Sequence, residues 1–413
     1  MSTETKTTAA REERKPALVP KLRFPEFRNA AAWEREKVDD LVDTVTPPKK
    51  LPTATYALSG KFPIIDQSQS DICGWTDDKE SLIEEGSPLV IFGDHTCVLK
   101  LIDGPFAQGA DGIKILKTRP KVGAPFLYQF LSSRPVVTEE YKRHFSILKE
   151  KAVYFPDLKS GEQQKVADCL GSLDELIAAQ GRKVEALKTH KKGLMQKLFP
   201  REGETQPRLR FPEYQRTEAW QRRKVSSLLA RSVSPVRVEG EETYREIGIR
   251  SHGRGIFHKE PLLGKALGEK RVFYVEENAF VLNIVFAWEQ AVAVTSVAER
   301  GMIASHRFPM YKPKEREADA EFIKYFFLTD KGKELLGIAS PGGAGRNKTL
   351  GQKDFEKLEL LCPRKVEEQA AIALCLSAAD TLIATATQAL DTLKTHKQGL
   401  MQQLFPSAEA LEA

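Results

Sequence analysis

The chain has 413 residues, which is too long for one compact core, so two domains or more are expected. Its composition, 41% hydrophobic and 29% charged, is typical of globular proteins. The longest apolar run, residues 279–288, is too short for a membrane span. The net charge of +6 permits nucleic-acid binding without requiring it.

The start of the chain and its cysteines indicate the compartment. Residues 1–20 are polar and contain no apolar signal core, which predicts a disordered tail on a cytoplasmic protein. The five cysteines form no C-x-x-C pair. We therefore expect no zinc site and a reducing cytosol.

Two sequence blocks occur twice. Residues 22–27 read LRFPEF and residues 209–214 read LRFPEY. Residues 187–200, LKTHKKGLMQKLFP, return as residues 393–406, LKTHKQGLMQQLFP. Between these blocks the two halves diverge almost completely, so the chain is two copies of one frame around two different inserts.

The second block of each half lies in a predicted long helix, residues 161–200 and 366–406. Apolar residues from Val166 to Leu198, and from Ile372 to Leu404, alternate at spacings of four and three, which is a heptad seam. The seam is interrupted at Gln180 and Lys191 in the first helix and at Lys397 in the second. One such stripe fits a single amphipathic helix equally well, but two copies favour a coiled coil. Only residues 201–208 separate the first helix from the second insert, so we expect antiparallel pairing.

The predicted fold class is therefore α+β, with two mixed α/β domains separated by two long antiparallel coiled-coil helices around a pseudo-two-fold axis. The predicted domains are residues 21–160 and 209–365, and residues 407–413 form a C-terminal tail. Residues 87–92, 247–249 and 280–286 are strand-like, and residues 320–328 predict a short helix.

The frame resembles the specificity subunits of type I restriction-modification enzymes. The residues that carry the resemblance are the two LRFPE blocks, Trp33, the helix starts Glu162-Gln163 and Glu368-Gln369, the LDELI and DTLI segments, and the GLMQKLFP and GLMQQLFP endings. The resemblance spans residues 21–406.

The resemblance implies a division of labour. Each insert would be a target-recognition domain that reads one half of a bipartite, asymmetric DNA site. The helices would set the gap between the half-sites and dock two adenine methyltransferase subunits, and two motor-nuclease subunits are further expected partners. The chain itself would bind no cofactor, since S-adenosylmethionine, ATP and Mg²⁺ belong to the partner subunits.

A search for catalytic motifs agrees with a non-catalytic chain. The sequence contains no Gly-Lys-Ser/Thr, and no Asn-Pro or Asp-Pro of the kind found in amino-methyltransferases. Asp94-His95 at a strand end is better explained as a structural turn than as an acid-base site. The Glu140-Tyr141-Lys142 triplet is expected by chance in a chain rich in Glu and Lys.

Candidate DNA contacts are loops rich in donors, because Lys and Arg bind phosphates while Arg, Gln, Asn and Ser read base edges. For each residue an ordinary polar loop is the competing explanation. In the first insert the candidates are Gln67, Ser68, Gln69, Lys142, Arg143 and His144. In the second they are Arg250, Ser251, Arg254, Lys270, Arg271, Arg307, Arg346, Asn347 and Lys348.

Apolar residues off the seam are candidate docking positions for the methyltransferase: Leu176, Met195, Phe199, Leu382, Met401 and Phe405. They would either cover the inserts or receive partner helices. Two other functions remain open at this point. One is a self-contained nuclease or methyltransferase, and the other is a coiled-coil scaffold with protein- or ligand-binding inserts.

Overall fold

The structure is a computed structural model, and it describes residues 18–84, 88–110, 112–137, 144–342 and 348–406. The chain divides into two compact units. Unit 1 comprises Met1–Gly181 and Gln388–Ala413, and unit 2 comprises Arg182–Thr387. Both long helices continue from one unit into the other: α4 (Glu162–Leu198) and α9 (Val366–Leu404).

Unit 1 contains two four-stranded sheets, in the orders β2-β9-β6-β7 and β4-β3-β8-β5, and the pair β1-β10. All neighbours are antiparallel except β3 and β8. The strands are β1 (Glu34–Lys37), β2 (Val42–Val45), β3 (Phe62–Ile65), β4 (Gly74–Thr76), β5 (Leu82–Ile83), β6 (Leu89–Gly93), β7 (Leu99–Ile102), β8 (Phe106–Gln108), β9 (Ile113–Thr118) and β10 (Ala152–Phe155). The shorter helices are α1 (Val38–Leu41), α2 (Ala124–Ser133) and α3 (Phe145–Glu150).

Unit 2 has one four-stranded sheet, in the order β12-β21-β18-β19, and four two-stranded pairs, β11-β22, β13-β16, β14-β15 and β17-β20. Its strands are β11 (Gln221–Lys224), β12 (Leu229–Ser232), β13 (Thr243–Tyr244), β14 (Ile247–Ile249), β15 (Ile256–His258), β16 (Leu262–Leu263), β17 (Val272–Tyr274), β18 (Phe280–Leu282), β19 (Val292–Val294), β20 (Ile303–Ser305), β21 (Met310–Pro313) and β22 (Glu359–Cys362). The shorter helices are α5 (Val225–Leu228), α6 (Ala320–Phe327), α7 (Asp330–Ile338) and α8 (Gln352–Lys357).

The two inserts share a topology that their sequences do not reveal. The sheet β2-β9-β6-β7 has the same order of connections as β12-β21-β18-β19, and β1-β10 corresponds to β11-β22. The backbone contact from Val38 N–H to Lys151 O, 3.0 Å, recurs from Val225 N–H to Leu358 O, 2.8 Å. The internal repeat therefore extends from the frame into the inserts.

Each core is completed by the residue that follows a long helix. In unit 1, the Phe405 ring lies 5.7 Å from Phe126 and 5.3 Å from Phe130. In unit 2, the Phe199 ring lies 5.4 Å from Phe322. The Phe-Pro ending of each half thus packs into the aromatic core of a unit, with Pro200 and Pro406 just beyond.

The two long helices pack against each other along the predicted seam, where every apolar residue is buried or half-buried. Lys397 Nζ lies 2.6 and 2.7 Å from the carboxylate oxygens of Asp174 in unit 1. Lys191 is ion-paired to Asp380 in unit 2. Asp174, early in α4, pairs with Lys397, late in α9, whereas Lys191, late in α4, pairs with Asp380, early in α9. The helices are therefore antiparallel, and the predicted fold class is confirmed.

Each seam aspartate also binds a helix of its own unit. Gln129 Nε2 on α2 donates to Asp174, and Tyr325 Oη on α6 donates to Asp380, both at 2.7 Å. Burial and this bond to Asp380 raise the pKa of Tyr325. Lys191 and Lys397, which interrupt the apolar seam, are therefore paired with aspartates that also bind the inserts.

Some local predictions hold and others fail. The short helix predicted at residues 320–328 is confirmed as α6. The strand predicted at residues 280–286 stops at Leu282, because the Asn283 side chain accepts the Val285 N–H and turns the chain. The disordered tail predicted for residues 1–20 extends too far along the chain. Leu18 packs against the unit 1 core, and its carbonyl accepts the Trp33 N–H.

The estimate of the longest apolar run also needs correction. By length and composition alone, one helix among the described residues, α9, is apolar enough to cross a membrane. Its apolar residues have a packing role: Ile372 and Leu376 are buried in the unit 2 core, and Asp380 within it is ion-paired.

Candidate nucleic-acid interface

In unit 2, a turn of residues 283–291 joins the neighbouring strands β18 and β19. Two segments that the sequence marks as DNA-binding candidates lie against it. The His252 N–H donates to Glu289 O at 2.7 Å, and the Leu350 N–H donates to Ile284 O at 2.8 Å. The turn is thus contacted by residues 250–254, here called the Arg250 loop, and by the segment that begins at Lys348.

The Arg250 loop is held rigidly. Its backbone is left-handed at His252 (φ 59°) and at Gly253 (φ 63°), and a Cβ at Gly253 would lie 2.5 Å from Leu328. Ser251 Oγ donates to the Glu289 carboxylate at 2.8 Å. Glycine suits this position because it adopts the left-handed conformation without strain and leaves room for the Leu328 side chain.

Within this rigid loop the two arginines are exposed. Arg254 Nε donates to Ser251 O at 3.1 Å, which leaves the other guanidinium nitrogens facing outward. The Arg250 guanidinium lies 4.8 Å from the Phe257 ring centroid. Pre-ordered arginines of this kind lose little side-chain entropy on binding an anion or a base.

Two further cations border the same turn. Lys348 Nζ lies 5.5 Å from the Trp288 ring, and Arg307 O accepts the Ile284 N–H at 3.0 Å. The Arg307 side chain is exposed. Arg254, Arg307 and Lys348, which are far apart in sequence, are therefore gathered around residues 283–291.

Lys270 and Arg271 lie at the edge of this cluster. The Arg271 carbonyl accepts the His306 N–H at 3.2 Å, next to the β17-β20 pair. Lys270 is ion-paired to Glu246 at 2.6 Å. Burial alone would raise the pKa of Glu246, but the pairs with Lys270 and Lys259 hold it below its ordinary value. Lys270 thus has a structural role that its sequence context did not reveal.

Unit 1 repeats the arrangement around residues 94–97, which join β6 and β7. Asp94 N–H donates to Gly112 O at 2.6 Å, and Asp94 O accepts the His144 N–H at 3.0 Å. Thr96 Oγ1 donates to Gln67 O at 2.7 Å, which ties the Gln67 loop to the turn. The candidate loops chosen in the two inserts therefore occupy equivalent places in both units.

The unit 1 candidates differ in how accessible they are. Gln69 is exposed. The Gln67 amide is folded against Gly112, where an added Cβ would lie 2.5 Å from it. Ser68 Oγ lies 3.1 Å from Cys73 Sγ. Of the three candidates in this loop, Gln69 is therefore the one that is exposed.

One assignment is wrong. His144 was a candidate for phosphate contact, but it is 1% exposed, and its Nδ1 lies 3.0 Å from Asp94 O. Its buried ring contacts the turn, so it cannot reach a phosphate. Asp94 is buried as well and accepts the Phe145 N–H at 2.8 Å, so the structural explanation of the Asp94-His95 turn holds for Asp94.

Several candidates lie outside the described residues: Lys142, Arg143, Arg346 and Asn347. The same is true of Glu140 and Tyr141. Within the part of the chain that the structure describes, no group of three or more His, Cys, Asp or Glu residues is arranged to hold a metal ion.

The proposed docking residues separate into two groups. Phe199, Met401 and Phe405 are buried in the cores of the units, so they cannot also be offered to a partner, and their assignment as docking residues is corrected. Met195 is half-buried against the unit 2 core. Leu176 and Leu382 occupy matching places on α4 and α9 and remain 55% and 58% exposed.

Sequence reasoning missed the turn of residues 283–291 and the arginines of the LRFPE blocks, and it interpreted the Asp94-His95 turn as structural only. Arg23 makes two hydrogen bonds to Glu162, and Arg210 makes two to Glu368. These two ion pairs could have been predicted, because Arg and Glu recur at matching places in both halves of the sequence. The turns carried no such signal, because their sequences differ.

A doubled frame, two long antiparallel helices and two inserts of one topology define the fold of type I restriction-modification specificity subunits. The crystal structure of a type I specificity subunit from M. genitalium is similar to this chain, with a TM-score of 0.63 and 17% sequence identity. The match covers 94% of this chain and 99% of that one. It is 24% identical over 291 residues to the type I restriction enzyme MjaX specificity subunit of Methanocaldococcus jannaschii. No family model matches the chain.

The alignment with the Methanocaldococcus jannaschii protein covers 68% of this chain and 64% of that relative, which is less than two thirds of the relative's length. The resemblance to specificity subunits that the repeated blocks predict is confirmed by this sequence match and by the shared fold.

Proposed function

We propose that the chain is the DNA-recognition subunit of a type I restriction-modification enzyme, and that each unit reads one half of a bipartite, asymmetric site. The observation that carries the proposal is the equivalence of the two candidate surfaces. Loops selected separately in two divergent inserts lie beside the same turn of the same sheet in both units. Divergent side chains on one repeated scaffold suit a reader of two different sequences.

The chemistry of the two surfaces fits this division. Unit 2 gathers Arg254, Arg307 and Lys348, which suit phosphates and the guanine edge. Unit 1 offers the Gln69 amide, which suits the adenine edge. Such contacts position and discriminate DNA without any reaction, so the chain is proposed to be non-catalytic.

The partners follow from the same proposal. Two adenine methyltransferase subunits would dock on the long helices, with Leu176 and Leu382 as exposed apolar contacts. Two motor-nuclease subunits would complete the restriction enzyme. S-adenosylmethionine would then be bound by the methyltransferase and ATP with Mg²⁺ by the motor, all in the cytoplasm.

The proposal is tested by methylation mapping. The chain is co-expressed with the methyltransferase subunit of its own genome in a host without adenine methylation, and methylated adenines are mapped. We expect one split motif, present only when the chain is expressed. Methylation without any motif, or binding of the inserts to a protein or small ligand but not to duplex DNA, would favour the scaffold instead.

A further inference from the structure

We propose that the turn joining the two neighbouring strands, residues 94–97 in unit 1 and residues 283–291 in unit 2, is a base-reading element in its own right. In unit 2, Phe286 would contact the methyl group of a thymine in the second half-site. In unit 1, His95 would contact a base edge in the first half-site. This inference rests on the proposed function and adds residues that sequence reasoning did not select.

The position of Phe286 carries the first part. Its side chain is 37% exposed, although a phenyl ring gains free energy from burial. An isolated exposed apolar residue is ordinary. Phe286, however, lies on the turn that also contacts the Arg250 loop, Arg307 and Lys348.

An apolar ring beside cations suits a thymine-containing stretch of the major groove. The cations bind phosphates or guanine, and the C5-methyl of thymine is the one apolar group on a major-groove base edge. Backbone hydrogen bonds fix the main chain that carries the ring, because the Phe286 N–H donates to Asn283 O at 3.1 Å and the Phe286 carbonyl accepts from the N–H groups of Glu289 and Ala291.

The neighbours of Phe286 act as positioning residues. The Glu289 carboxylate accepts from Ser251 Oγ, and its main-chain carbonyl accepts the His252 N–H. These two bonds hold the Arg250 loop beside the turn. Trp288 donates from Nε1 to Val285 O at 3.1 Å, and its ring face is occupied by Lys348. The side chains of Glu289 and Trp288 are engaged, whereas more than a third of the Phe286 residue surface stays exposed.

Unit 1 shows the same separation of roles. Asp94 is buried and holds the turn, and Thr96 ties the Gln67 loop to it. His95, between them, is exposed, and its ring makes no hydrogen bond to another described residue. A neutral imidazole offers one donor and one acceptor, which can meet a purine edge.

The test uses the full-length chain assembled with its methyltransferase subunits and a pool of random-sequence duplex DNA. The bound fraction is sequenced to obtain the motif of the wild-type protein. Each thymine of the second half-site is then replaced by uracil, which removes only the methyl group. We expect one replacement to weaken wild-type binding about three- to tenfold, and to have no effect on Phe286→Ala.

Matched variants separate base reading from general damage. Tyr274→Ala removes another exposed aromatic ring of unit 2, and His190→Ala removes an exposed histidine of α4. Both should keep the wild-type motif. His95→Ala should relax the first half-site alone, and Phe286→Ala the second alone. Phe286→Leu, which keeps an apolar side chain, should retain the sensitivity to uracil.

The outcomes distinguish the two proposals. If the wild-type assembly enriches no motif, the proposed function itself fails. If it enriches a motif whose second half lacks thymine, or tolerates uracil at every thymine, the role of Phe286 is overturned while DNA recognition stands. An unchanged first half-site in His95→Ala overturns the role of His95.

Discussion

Arg23 and Glu162 lie 139 residues apart in the sequence and form a buried, bidentate ion pair, with Nε to Oε1 at 2.7 Å and Nη2 to Oε2 at 2.6 Å. The Glu162 side chain is 1% exposed. Arg210 and Glu368 repeat the pair in unit 2 at 2.7 Å for both contacts. The first sequence block of each half is thereby joined to the start of a long helix.

Breaking this pair should destabilise unit 1. Arg23→Ala leaves the Glu162 carboxylate buried without its partner, and we expect a loss of about 3–5 kcal/mol in the free energy of unfolding. Thermal and urea unfolding followed by circular dichroism would measure it. Arg364→Ala, which breaks the exposed pair with Glu218, is the control and should change little. Equal effects of the two substitutions would contradict the structural role of Arg23.

The Glu246–Lys270 pair should make stability depend on pH in a defined direction. The pKa of Glu246 in the folded chain is below its ordinary value of 4.5, so the ionised form stabilises the fold above that pH. This contribution is lost as the pH falls through the folded-state pKa. Lys270→Ala should therefore be less stable than wild type near neutral pH, with the difference shrinking as the pH falls below 4.5 and through the folded-state pKa of Glu246.

Melting temperatures at a series of pH values would test this, with Lys265→Ala, at an exposed and longer pair, as the control. A parallel DNA titration separates the two roles of Lys270. A salt slope reduced by about one in Lys270→Ala would indicate that this lysine also contacts a phosphate.

Arg254→Ala should weaken specific DNA binding by about 1–3 kcal/mol if the guanidinium reads a base edge. If it contacts only a phosphate, affinity should fall equally for all sequences and the salt slope should decrease by about one. Fluorescence anisotropy at several salt concentrations would distinguish these results. Arg237→Ala, whose side chain is 96% exposed, is the control. Wild-type affinity and salt slope in Arg254→Ala would remove this loop from the interface.

The exposed leucines of the helices should matter for assembly and not for folding. Leu176→Asp and Leu382→Asp are expected to weaken association with the methyltransferase subunits by about 1 kcal/mol or more each, with an unchanged melting temperature. Sedimentation velocity would measure the complex. Leu58→Asp, at a fully exposed leucine of the first insert, is the control. Phe405→Ala should instead lower the melting temperature, because the ring is buried in the unit 1 core.

The hypothesis that the two long helices set the gap between the DNA half-sites can be tested by lengthening both helices. The pairs Asp174–Lys397 and Lys191–Asp380 set the register, so one heptad inserted after Val184 and one after Ala386 preserves the seam. Seven residues add about 10 Å. This corresponds to roughly three base pairs of DNA and a rotation of about 100°.

We expect the methylated motif of the lengthened subunit to have a longer spacer, or methylation to fall because the coiled coil does not supply the rotation. Fully retained methylation with the original spacer would show that the helices do not set this distance.

The sequence by itself determined the frame. The repeated blocks, the heptad seam and the short linker fix two helices, their antiparallel direction and two inserts, because these are local patterns or follow from chain connectivity. The candidate DNA-contact loops were chosen from the sequence as segments rich in donors, and their contact with DNA stays a prediction. His144 was chosen wrongly, because it is buried and burial depends on what the rest of the chain packs over it.

Only the tertiary structure decided the long-range partners. Lys191 and Lys397 look like defects in the seam until Asp380 and Asp174 are found opposite them. The common topology of the inserts was hidden as well, because it is maintained by backbone hydrogen bonds that many sequences can make. For the same reason neither Phe286 nor His95 was a DNA-contact candidate from the sequence, where the Asp94-His95 turn was interpreted as structural only. Their place is set by equivalent turns of the two units, and only their side chains differ.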